Sequence, residues 1–127
     1  MNFSTPRRLA LVALLALSAG AATRAEEAQF RDPGSMKEEE RAQVMGFMND
    51  YNGCVYKESM ARVDKFPDIR QAADQGMDAC KGKLQEMKDT LGKAGFEPGF
   101  GEQFAHSTQM RAVRMLMPEL ALKKSGP

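Results

Sequence analysis

The chain has 127 residues, ten of them methionine, and its 18 basic and 17 acidic side chains nearly cancel. A chain of this length forms one small domain, and it lacks the basic stripe with which nucleic-acid-binding proteins neutralise phosphates. It contains one histidine and no nucleophile or phosphate-loop motif, so we expect a protein that is not an enzyme.

The first 25 residues are typical of a cleaved secretory signal peptide. Two arginines precede an uninterrupted apolar run at 9–17, which is about half the ~20 residues that a membrane-spanning helix needs. Small residues follow, and cleavage fits after Ala21 or Ala25. We therefore expect a periplasmic or secreted protein without a membrane span. Because the removed segment holds three arginines and no acid, 15 basic and 17 acidic side chains remain.

The residues after the signal, 26–34, show no periodicity and predict a flexible leader. A single helical domain is expected over 35–122, because Ser35 and Glu38 form a capping-box pattern at its start. The first helix should span about 36–63. The poor helix formers at 49–53 could break it in two, but we expect it to continue. One buried face is indicated by apolar side chains at three- and four-residue steps: Val44, Phe47, Met48, Tyr51, Cys54 and Val55.

The segment Phe66-Pro67-Asp68 predicts a turn between two helices. Proline disfavours helical backbone at the residue before it, and Asp68 can cap the next helix together with Gln71. The second helix should span 69–93. Its apolar stripe is the clearest in the chain and comprises Ile69, Ala73, Met77, Cys80, Leu84, Met87 and Leu91.

The only two cysteines, Cys54 and Cys80, each lie thirteen residues from Pro67. A helix rises ~1.5 Å per residue, so two antiparallel arms of about 18 Å would bring both sulfurs to the same level. We therefore predict a structural disulfide, with Gly53 and Gly76 allowing the helices to approach. A zinc site usually needs four ligands, and a redox pair more often reads C-x-x-C; two buried free thiols remain the alternative.

A turn-rich segment at 95–101 leads to a third helix, expected over about 102–117. Pro118 should end this helix or begin one last turn, and residues 123–127 should form a frayed tail. The predicted apolar stripe of the third helix comprises His106, Met110, Val113 and Met117, and Leu120 continues it past Pro118. The fold class that follows is all-α: a small three-helix bundle built on a disulfide-linked antiparallel helical hairpin.

Non-catalytic binding of another protein is the function that these features favour. Phe96, Phe100 and Phe104 surround a glycine-rich loop, and these three residues with Tyr56 are the candidate partner-binding residues. Met45, Met60 and Met115 also fall off the main stripes; if exposed, such side chains form an apolar interaction patch. Inhibitors, immunity proteins, chaperones and secretion-accessory subunits fit this description by analogy of type.

Soft-metal binding is the alternative function. Nine methionines follow the signal, and thioethers are good ligands for Cu(I). His106, Met110 and Met117 lie along one helical face and are the candidate copper ligands. A haem with Met and His axial ligands is also conceivable, although no C-x-x-C-H attachment motif is present. Because methionine also fills irregular cores, the leading expectation is a protein without a cofactor.

Overall fold

The computed structural model describes residues 29–126 and consists of three long helices packed together. The helices are α1 (Glu38–Met60), α2 (Ile69–Lys93) and α3 (Pro98–Ser125), with short 3-10 turns at Pro33–Ser35 and Val63–Lys65. The predicted all-α bundle is confirmed. The predicted signal peptide lies outside the described residues, and within them no helix is long and apolar enough to cross a membrane.

The start of α1 differs from the sequence prediction. Ser35 does not cap the helix; it belongs to the preceding 3-10 turn, where its hydroxyl donates to the Asp32 carbonyl at 2.6 Å. The helix begins at Glu38, and the Glu40 carboxylate accepts the Lys37 amide at 2.8 Å instead. From there α1 runs through residues 49–53 without a break and ends at Met60, because the chain tightens into the second 3-10 turn.

The Cys54–Cys80 disulfide forms as predicted and joins α1 to α2, with the two Cα atoms 6.0 Å apart. Only one of the two expected glycines brings the helices together. A Cβ at Gly53 would meet nothing within 4 Å, whereas a Cβ at Gly76 would overlap the Ser59 hydroxyl and lie 3.0 Å from the Ser59 backbone nitrogen. The closest approach of α1 and α2 is therefore Ser59 against Gly76, about one turn from the disulfide.

The helix α2 has the predicted boundaries, and its predicted stripe faces the core: Ala73, Cys80, Met87 and Leu91 are buried, and Ile69, Met77 and Leu84 are partly buried against the core clusters. The Asp68 carboxylate caps it by accepting the Arg70 amide at 2.9 Å. Two core clusters follow along its length. One surrounds the disulfide, with Tyr51, Val55 and Leu116 among its members, and the other lies at the opposite end around Met87 and Phe96.

The helix α3 is longer than predicted at both ends. It begins at Pro98, a position where the missing proline amide costs no helical hydrogen bond, and it continues past Pro118. Lys123 and Lys124, predicted to lie in a frayed tail, instead hold the last turn in place. Their ammonium groups donate to the Met60 and Phe66 carbonyls, each at 2.7 Å; Pro127 lies outside the described residues.

The predicted stripe of α3 is correct only at Leu120, which is buried; from residue 101 to 112 the buried positions are small residues instead. His106 and Met110 are exposed, and Val113 and Met117 are only partly buried. The fully buried positions are Gly101, Ala105, Thr108, Ala112, Leu116 and Leu120. Small side chains let helix backbones approach closely, so the bulkier thioether and imidazole groups lie on the flanks.

Part of the predicted flexible leader is bound to the bundle. The Arg31 guanidinium donates to both Glu40 oxygens, at 2.7 and 2.9 Å, and to the Ala94 carbonyl at 2.9 Å. It also lies 4.6 Å from the centroid of the Phe96 ring, a cation–π distance. The ion pair and a backbone hydrogen bond hold the pKa of Glu40 down at about 2.

Removing the disulfide tests the covalent link. In the loop-entropy description, closing a loop of 26 residues stabilises the fold by about 3.5 kcal/mol. We expect Cys54→Ala/Cys80→Ala to lower the free energy of unfolding by roughly that amount in urea denaturation at neutral pH. Reduced wild type should show a similar loss, and an unchanged midpoint in both would contradict a stabilising role.

Gly76→Ala tests the close contact between α1 and α2. The new Cβ would meet Ser59, so we expect a loss of about 1–3 kcal/mol from overpacking. Adding Ser59→Ala should recover part of that loss. Gly82→Ala is the matched control, since Gly82 lies in the same helix with nothing within 4 Å of its Cβ position; there alanine should be neutral or stabilising. Equal effects at both glycines would contradict the contact.

The Glu40 ion pair predicts a defined pH dependence. Its folded-state pKa of about 2 lies below the model-peptide value of 4.5, so its stabilising effect is complete above pH 4.5 and is lost as the pH falls towards about 2. We expect Glu40→Gln to flatten this acid limb of the stability profile. Glu39→Gln, an exposed neighbour outside the ion pairs of residues 29–126, should leave the limb unchanged.

Candidate binding groove between the first and third helices

The large exposed apolar side chains of the described residues are distributed unevenly over the bundle. None of the six lies on α2, whose apolar residues are confined to its buried face. Five of them are on α1 and α3, at Met45, Tyr56, Met110, Met115 and Leu122, and Phe30, which precedes α1, completes the set. The sequence correctly predicted that Met45, Tyr56 and Met115 lie off the core stripes and are exposed. Met60, which was predicted with them, instead packs against the core.

A groove of about 370 Å³ lies between α1 and α3. We call it the α1–α3 groove, and it is lined by Asn52, Gly53, Tyr56, Ala112, Met115, Leu116 and Glu119. Ala112 and Leu116 are buried and belong to the core, while Tyr56 is 46% and Met115 63% exposed. The groove thus has an apolar base continuous with the core and two large, accessible side chains at its sides.

Local sequence explains why the groove is open. α2 packs extensively against both other helices, but α1 and α3 contact each other much less. Gly53 provides no side chain on the α1 side, where an added Cβ would meet nothing within 4 Å. Ala112 provides only a methyl group on the α3 side. Two small residues facing one another therefore leave the space that larger side chains fill elsewhere in the bundle.

Three polar atoms on α1 are buried without a hydrogen-bond partner in the described part of the chain: the Tyr51 hydroxyl, Asn52 Oδ1 and the Ser59 hydroxyl. Burial raises the pKa of Tyr51. Each unpaired group costs stability relative to its hydration in the unfolded chain. Tyr51 and Ser59 face the core, whereas Asn52 also forms part of the groove wall.

The aromatic residues proposed from the sequence do not form one exposed surface. Phe96 is only 2% exposed and belongs to the core, because the connection between α2 and α3 folds it against Met87 and Leu91. Phe100 and Phe104 are partly buried and continue from it as a series of tilted rings, with centroids 5.5 and 6.0 Å apart. Among the four candidates only Tyr56 lines the α1–α3 groove.

The candidate copper ligands are not equally accessible. His106 and Met110 are exposed and one helical turn apart, but Met117 packs against the core cluster around the disulfide. Within residues 29–126, no group of three His, Cys, Asp or Glu side chains is placed to hold a metal ion. The geometry therefore brings two of the three predicted ligands together on the surface.

Sequence reasoning identified Tyr56 and Met115 but missed the groove between them. Gly53 was interpreted as a contact with α2, and Ala112 and Glu119 carried no signal of their own. Two further depressions are lined mainly by polar side chains, one at the α2–α3 end and one beside Cys54. Neither has large exposed apolar residues.

Comparison with known proteins identifies no relative of this chain. No protein-family model matches this chain, and neither a curated protein nor a solved structure is significantly similar to it. The class of molecule is therefore defined by its own geometry: a disulfide-linked three-helix bundle with an apolar groove along one side.

Tyr56 and Leu116 provide a test of which side chains maintain the core and which only line the groove. We expect Tyr56→Ala to change the free energy of unfolding less than Leu116→Ala, because Tyr56 is 46% exposed and is not a member of either core cluster. Leu116→Ala removes a buried side chain and should cost about 2–5 kcal/mol. Urea unfolding of both variants measures this difference, and a large loss in Tyr56→Ala would mean that this residue belongs to the core.

Proposed function

We propose that this is an exported helical protein that acts by non-catalytic binding of another protein through the α1–α3 groove. The observation that carries the proposal is the pairing of a core-continuous apolar base with the accessible side chains of Tyr56 and Met115. Tyrosine and methionine are enriched at protein interfaces relative to other surfaces, and methionine adapts its shape to different partners.

The shape of the groove favours a helical or extended segment of a partner with one large apolar anchor. Grooves between two helices are commonly filled by the apolar face of a third helix, and buried anchors at the centre of an interface contribute most of the binding energy. By analogy of type, such a contact would suit an inhibitor, an immunity protein, a chaperone or a secretion-accessory subunit, and the proposal covers this class of roles.

The proposed location rests on two features. The predicted signal peptide directs the chain out of the cytoplasm, and cleavage near Ala21 or Ala25 would release the domain. The Cys54–Cys80 bridge is typical of small domains in oxidising compartments, where disulfides persist. Both features support a periplasmic or secreted protein.

Site-specific photo-cross-linking in the native cell envelope tests the binding proposal. A photoreactive residue at position 56 or 115 should cross-link to the same partner. Position 110 is the matched control, since Met110 is 48% exposed, close to the 46% of Tyr56, but lies about 140° around α3 from Met115. Equal labelling from all three positions, or no adduct from 56 and 115, would contradict the proposal.

Soft-metal binding is the alternative, and the shared exposure of His106 and Met110 on one helix face favours it. Copper(I) titration of the mature protein beside His106→Ala measures it directly. Micromolar binding that is lost in His106→Ala would support a copper role. Binding that is absent, or equal in both proteins, would exclude His106 as a copper ligand and would therefore exclude this alternative function.

A further inference from the structure

The exposed ridge of α3 beside the groove carries two opposite charges at equal distances from a central apolar side chain. Arg111, Met115 and Glu119 are spaced four residues apart, so they lie one above the other on the helix surface. All three are exposed. The ridge therefore presents a positive charge, an apolar side chain and a negative charge in order along the helix axis.

The two charged residues of this ridge take no part in the ion pairs of residues 29–126. The pairs there join Arg31 to Glu40, Arg62 to Glu58, Arg70 to Asp68, Lys81 to Asp78 and Lys88 to Glu102. Arg111 and Glu119 are eight residues apart in α3, a separation of about 12 Å along the axis, which is too long for them to pair with each other. Both charges are available to a partner.

A second copy of the chain offers the matching pattern. In an isologous dimer, the two-fold axis places the same surface of both copies face to face. If the axis passes Met115 and the two α3 helices run antiparallel, Arg111 of each copy reaches the level of Glu119 of the other. Two ion pairs then flank a central apolar contact, about 6 Å on either side of it. A parallel arrangement would instead bring like charges together.

The apolar side chains fit the same arrangement. Met115 is 63% exposed and forms one wall of the α1–α3 groove, with Tyr56 on the other wall. Leu122, also exposed, lies two turns further along α3 on the same face. Pairing of two copies would cover the large exposed apolar residues beside the groove, which otherwise remain in contact with water.

We propose that the isolated protein forms a two-fold symmetric dimer through the Met115 ridge and the α1–α3 groove, with reciprocal Arg111–Glu119 pairs. This inference rests on the proposed function in one respect: it assigns a second copy of the chain as an occupant of the same groove. Electrostatic complementarity sets the antiparallel orientation, and the apolar centre supplies the attraction.

Sedimentation velocity of the mature protein over a wide concentration range tests the proposal. We expect wild type to dimerise, and Glu119→Arg or Arg111→Glu to weaken the dimer at least tenfold, because each change places like charges opposite one another. The double variant Arg111→Glu/Glu119→Arg should restore dimerisation. Arg114→Glu is the matched control, since it makes the same charge change at an exposed position away from the ridge.

The possible results separate this proposal from the proposed function. A wild type that stays monomeric, or a dimer that neither single reversal weakens, overturns the dimer. A monomer that still cross-links a different protein from positions 56 and 115 overturns the dimer and leaves partner binding standing. Cross-links only between two copies support the dimer and contradict a separate partner. Recovery in the double variant shows that the single variants did not fail through misfolding.

Discussion

The close approach of α1 and α2 is the constraint on which the rest of the structure depends. The Cys54–Cys80 bridge holds the two Cα atoms 6.0 Å apart, and Ser59 packs against the bare backbone of Gly76 about one turn away. A covalent link and a glycine contact at nearly the same level leave little freedom for the two helices to slide or rotate. The relative position of α1 and α2 is therefore fixed by contacts that do not involve α3.

The position of α3 follows from what the hairpin leaves uncovered. α2 is the central helix and packs against both neighbours, so its apolar stripe is buried or partly buried along its length. α3 approaches through Gly101, Ala105 and Ala112, small residues that permit close packing. The Lys123 and Lys124 ammonium groups hold its last turn against carbonyls of the last residue of α1 and of the α1–α2 turn. The seam between α1 and α3 is left as the open side of the bundle.

This asymmetry links the fold to the proposed binding role. α2 presents only small or polar groups to water, whereas α1 and α3 expose Met45, Tyr56, Met110, Met115 and Leu122. The apolar surface of the groove is continuous with the core through Ala112 and Leu116, so a partner that covered it would remove apolar area from water. Arg111 and Glu119, which form no ion pair within residues 29–126, would give the proposed contact a direction that apolar packing alone would not.

The hairpin could be predicted from the sequence: the equal spacing of Cys54 and Cys80 from Pro67, together with the regular stripe of α2, predicted the disulfide, the turn and the boundaries 69–93. These features are local or follow from one covalent bond. The remaining features depend on how the helices pack against one another. Periodicity of large apolar residues placed His106 and Met110 in the core of α3, but close helix packing buries Ala105, Thr108 and Ala112 instead. Arg31 contacts Glu40 and Phe96, and the groove at Gly53 lies between two helices. These features join residues of different elements, and no local sequence pattern encodes their proximity.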